Sequence, residues 1–160
     1  MGAASTATSE SNRLREVRLK LLHLHQTLLE MERRSFERTH GRVNSGELLQ
    51  LVINNEEFAW LRILSALVVQ IDQILDADEP ASDADIISLI AAARQLFTES
   101  EDHEFHHKYQ AALQQEPEVV MAHSALMKLL RMRGFAKRSI VSMVVVGKTM
   151  LIRLLMEILS

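Results

Sequence analysis

The chain has 160 residues, 48% hydrophobic and 24% charged, enough for one domain with its own core. It has no cysteine, which excludes a disulfide framework and a thiol nucleophile and suits a reducing, cytoplasmic setting. With 5 Gly and 2 Pro it carries far fewer turn signals than an all-β protein of this length needs, and its net charge is only −3.

Residues 1–10 are small and polar with no apolar period, which predicts a disordered N-terminus. They lack the basic start and apolar run of a secretory signal. Gly2 with Thr6 fits the short N-myristoylation pattern, with nothing nearby to support it. A long helix follows over roughly 11–40. Val17, Leu21, Leu24, Leu28 and Met31 recur at alternating spacings of four and three, one stripe of a helix, and Leu14, Leu22, Leu29 and Phe36 widen it. Gly41 is a natural stop.

Asn44 stands three residues before Glu47, a capping-box pattern opening a short helix to about Ile53. Asn54 and Asn55 break or bend the chain there. Trp60, Leu64, Leu67, Ile71 and Ile74 form the next seam, with Leu61, Val68 and Leu75 beside it, and its density of large apolar residues predicts the centre of the core. The acidic loop 76–85 contains Pro80 and leads to Ser82 and Asp85, a second capping-box pattern. Ile86, Ile90, Ala93 and Phe97 then share a face, with Leu89 and Leu96 adjacent. A shorter helix over about 103–115 carries Phe105, Tyr109, Ala112 and Leu113. Pro117 suits the first turn of a further helix, where its missing N–H costs little, and Val119, Leu126 and Leu130 face inward before Gly134 ends it.

The last segment differs. Ile140, Val144, Gly147, Leu151, Leu154 and Ile158 keep the four-three spacing, while Val141, Met143, Val145, Met150, Ile152, Leu155, Met156 and Leu159 cover the other sides. A helix apolar all round is buried in protein, in a partner or in lipid. Residues 131–160 hold six basic residues against Glu157, a balance of +5, which leaves −8 for residues 1–130. The expected layout is therefore all-α. Residues 1–10 are disordered, 11–134 form a bundle of about five to six helices, and 135–160 form an apolar, basic C-terminal helix packed on the bundle, a partner or a membrane surface.

Gly41-Arg42-Val43, the run Ser45 to Leu51, Phe58-Ala59-Trp60-Leu61, Ile71-Asp72 and the stretch Tyr109 to His123 resemble a group of short bacterial all-helical proteins of unassigned activity, over about residues 12–130. The resemblance implies a helical fold and a bacterial cytosol. It carries no catalytic motif and stops near Leu130.

Chemistry-bearing patterns are few. His103-Glu104-Phe105-His106-His107 matches H-E-x-x-H, in which His103 and His107 would share a zinc ion and Glu104 would be the base of a hydrolase. The longer zincin pattern fails at Gln110, and Glu116, Glu118 and His123 compete as third ligand with nothing to single one out. The bland alternative is a polar helix face. A carboxylate-histidine core drawing on His23, Glu30, His40, His107 and His123 lacks the repeated Glu-x-x-His that such bundles use. His123 sits on an apolar stripe, as a satisfied core histidine would.

Gly147-Lys148-Thr149 ends like a phosphate loop, but Ser142 replaces the required glycine. Lys148 and Arg153 interrupt the tail near mid-helix, so it suits a membrane surface better than a span. Nucleic acid is not expected, because the basic residues are few and no basic-aromatic pattern accompanies them. The reading is a non-enzymatic helical protein acting through protein–protein contact, as a homo-oligomer or with a protein partner through residues 137–159. A zinc hydrolase and a peripheral membrane protein are the alternatives.

Overall fold

A computed structural model describes residues 2–99, 102–131 and 148–159. The described residues contain seven α-helices, one 3-10 helix and no strand, so the fold is all-α with more helices than the five to six expected. The breaks at Asn55 and at Glu116 before Pro117, where the backbone turns extended, fall at positions the sequence marks.

Helix α1, Gly2–His40, is the spine. At 1.5 Å per residue its 39 residues span about 58 Å. It starts at Gly2, within the residues 1–10 that the sequence predicts to be disordered. Alanine-containing sequence extends a helix readily once a packed stretch has met the cost of nucleation. The predicted stripe does the packing, with Leu14, Val17, Leu21, Leu24 and Leu28 at or below 1% exposure. Gly41 ends α1 at φ +85°, and its N–H reaches Glu37 O at 3.0 Å.

Helix α2, Ser45–Asn54, opens with the expected reciprocal cap. Asn44 Oδ1 accepts from the Glu47 N–H at 2.9 Å, and Glu47 Oε2 accepts from the Asn44 N–H at 2.8 Å. Asn55 then caps a 3-10 turn, Glu56–Leu61, which runs into α3, Arg62–Leu75. Arg62 donates back to Val52 O at 3.2 Å, satisfying a carbonyl at the end of α2. The stretch Glu56–Leu75 is long and apolar enough to cross a membrane by length and composition, yet Leu61, Leu64, Leu67, Val68 and Ile71 are all fully buried in the core.

Helix α4, Asp83–Thr98, shows a variation on its predicted cap. Ser82 Oγ accepts from the Asp85 N–H at 3.2 Å, but the Asp85 carboxylate accepts from the Ser82 hydroxyl at 2.7 Å rather than from the Ser82 backbone N–H. Aspartate is one methylene shorter than the glutamate of a full box, which accounts for the changed partner. Helix α5, His103–Gln115, is capped by Asp102, and α6, Pro117–Leu130, begins on Pro117. The expected stop of α6 at Gly134 lies outside the described residues; the helix ends at Leu130. There Arg13 donates from Nε and Nη2 to Leu129 O at 3.0 and 2.7 Å, and from Nη2 to Arg131 O at 2.9 Å, so α1 holds the C-terminus of α6.

Helix α7, Lys148–Leu159, lies against α2, α3 and α1. Leu154, Leu155 and Ile158 are buried, which contributes roughly 1.5–3 kcal/mol each. The first part of the expected C-terminal helix, residues 137–147, lies outside the described residues.

Candidate functional site

The H-E-x-x-H stretch forms the outer face of α5. Phe105, Tyr109 and Ala112 are buried, while His103, Glu104, His106 and His107 are exposed. Glu104 sits 3.7 Å from Lys108 Nζ, one turn on. The proposed third ligands are placed elsewhere. Glu116 pairs with Arg34 at 3.3 Å, Glu118 is exposed, and His123 is bound to Tyr109. His23 is exposed, Glu30 lies 3.5 Å from Arg33, and His40 stacks on Phe36 with ring centroids 4.0 Å apart. Among the described residues no three His, Cys, Asp or Glu side chains come close enough to hold a metal ion. Lys148 and Thr149 open α7, and the rest of the phosphate-loop-like stretch lies outside the described residues.

Tyr109 and the half-buried His123 form a polar pair. Tyr109 Oη lies 2.7 Å from His123 Nδ1, inside an aromatic cluster with Phe97 and Phe105. Burial pushes the Tyr109 phenol up, so it keeps its proton and donates, and burial pushes His123 down, so its ring accepts. This is the satisfied histidine that its apolar stripe suggests.

The second pair escapes a simple reading of the sequence. His25 Nε2 and Ser65 Oγ lie 2.7 Å apart with both side chains at 0% exposure. Burial lowers the His25 pKa to about 4, and the carbonyls of His25 and Leu61 only partly oppose it. The atoms are those of a nucleophile and its base, but no substrate reaches a pair so enclosed. The signal was positional. His25 is four residues after Leu21 and four before Leu29, on the buried stripe, whereas His23 points outward.

Grooves open between α3 and α4, beside Gln73, Ile74 and Ser88 (about 350 Å³), between the end of α1 and α2, and along the seam of α1 with α7. The α1–α7 groove, about 530 Å³, has a defined floor. Arg18 on α1 binds Asp72 on α3 through Nε and reaches Glu157 on α7 through Nη2 at 3.1 Å. One guanidinium thus joins three helices. Hydrogen bonding to Asp72 raises the Arg18 pKa further, so the charge is permanent.

Leu19 and Met150 line the same groove, exposed at 61% and 41%. Arg15 and Arg153 stand beside them, also exposed, with no carboxylate in ion-pair range among the described residues. The groove continues past Leu19 along Leu22, His23 and Gln26. It can take an apolar side chain flanked by acidic ones. Part of the segment expected to make contacts, α7, contributes Met150 and Arg153, but its Leu154, Leu155 and Ile158 are spent on the core. Comparison with family models, curated proteins and solved structures finds no match.

Proposed function

We propose that this chain is a non-enzymatic helical protein that works through protein–protein contact, with the α1–α7 groove as its contact surface. The observation that carries the reading is Leu19 beside Met150, two large exposed apolar side chains on one groove, rimmed by Arg15 and Arg153. Single exposed apolar residues are ordinary, whereas apolar surface gathered in a groove with a polar rim is what interaction sites look like. The ion-paired floor supports it too, because a rigid surface loses little freedom on binding. In this reading the chain works in the cytoplasm, which its lack of cysteine suits.

The test is a photoreactive residue at position 19, expressed in the native host. A discrete protein adduct is expected there, and none from position 38, which is exposed near the other end of α1. Unlinked chain alone from both positions would overturn the proposal.

A further inference from the structure

The α1–α7 groove carries both signs of unused charge side by side. Arg13, Arg18, Arg33, Arg34 and Arg62 are all engaged within the chain, by carboxylates or by helix-end carbonyls. Arg15 reaches Asn12 Oδ1 at 3.4 Å, and neither Arg15 nor Arg153 has an ion pair among the described residues. Asp76 lines the same groove and opens the acidic loop, followed by Asp78 and Glu79. All three carboxylates are exposed, and none has an ion pair among the described residues.

From this arrangement we infer that the occupant of the groove is a second copy of this chain, docked about a two-fold axis; the inference rests on the protein-contact reading above. A two-fold interface must be self-complementary, since every contact occurs twice. A groove with basic residues, Arg15 and Arg153, beside an exposed carboxylate, Asp76, meets that condition. The arginines of each copy face the carboxylate of the other, and Leu19 and Met150 are covered between them. Opposed charges of this kind set the register and speed the encounter. A partner of one sign would leave part of the groove facing like charge.

The experiment is light scattering after size exclusion on the full chain at micromolar concentrations, with two charge-reversed variants. The expected mass is twice the 18.2 kDa of one chain. Arg15→Glu with Arg153→Glu is expected to weaken the dimer roughly tenfold or more, and so is Asp76→Arg, because each sets like charges opposite one another. All three positions are exposed, so helix content by circular dichroism stays unchanged. Mixing the two variants restores the dimer mass, since each supplies the charge the other lacks.

A wild-type monomer, or a dimer indifferent to both variants, overturns the inference. So does binding to anionic vesicles that Arg15→Glu with Arg153→Glu abolishes in a monomeric chain. A monomer that still gives an adduct with a different protein from position 19 overturns the self-association and leaves the protein-contact reading standing. A monomer without any adduct removes both.

Discussion

His25 Nε2 lies 2.7 Å from Ser65 Oγ, seven residues along α1 from Arg18 and seven back along α3 from its partner Asp72. The two pairs fix α1 and α3 as antiparallel neighbours two turns apart in register. Their environments differ. The first pair is neutral and wholly enclosed, while the second is charged and forms the floor of the groove.

Ser65→Ala leaves the buried His25 Nε2 without its hydroxyl partner. The expected loss is about 1–3 kcal/mol of unfolding free energy, read from urea denaturation. Pairing Ser65→Ala with His25→Leu removes both polar groups and is expected to recover most of it. A double variant no more stable than Ser65→Ala would show that the pair matters through shape rather than through hydrogen bonding.

Acid weakens the fold through the same residue. His25 titrates near 6.5 when unfolded and near 4 in the fold, so between these values the unfolded chain binds more protons. Stability is flat with respect to this group above pH 6.5 and falls as pH drops towards 4, by about 3 kcal/mol in total. His123, also lowered by burial, acts in the same direction. Urea midpoints across this range are expected to flatten in His25→Leu, and an unchanged slope would assign the acid sensitivity to other groups.

These outcomes also mark what the sequence encodes locally. The stripe of α1, the left-handed Gly41, the Asn44–Glu47 cap and the Pro117 start are all legible, because each depends on residues within one or two turns. Ser82 is legible as a cap, and only the acceptor chosen by Asp85 differs. The groove is not legible. Arg18, Asp72 and Glu157 are far apart in sequence and meet only when α3 and α7 fold onto α1. No spacing announces them. Leu19, one residue beyond Arg18, belongs to no pattern in the sequence and gains meaning only when α7 brings Met150 to the same groove. His25 was hidden differently, because a polar residue on an apolar stripe is outvoted by its leucine neighbours.

Removing the guanidinium loosens α7. Arg18→Met leaves Asp72 and Glu157 without their shared partner in a half-buried setting, at an expected cost of about 1–2 kcal/mol. Hydrogen exchange reads the effect locally, with faster exchange over residues 151–159 and little change in α4 and α6. Uniform acceleration across the chain would instead make Arg18 a determinant of global folding.

The exposed H-E-x-x-H face is expected to behave as two isolated histidines. His103 and His107 offer a zinc ion one turn of helix and no third protein ligand among the described residues, so calorimetry should show only weak binding. A tight, stoichiometric site lost in His107→Ala would return the zinc hydrolase to consideration.

The most direct measurement for the contact surface places a photoreactive residue at position 150 and compares the chain with and without Leu19→Asp in the native host. Leu19 is exposed, so the substitution leaves the core intact while putting a charge into the groove. The account predicts a discrete protein adduct that falls at least several-fold when Leu19 becomes aspartate. Adducts of equal yield in both chains, or none in either, would contradict it.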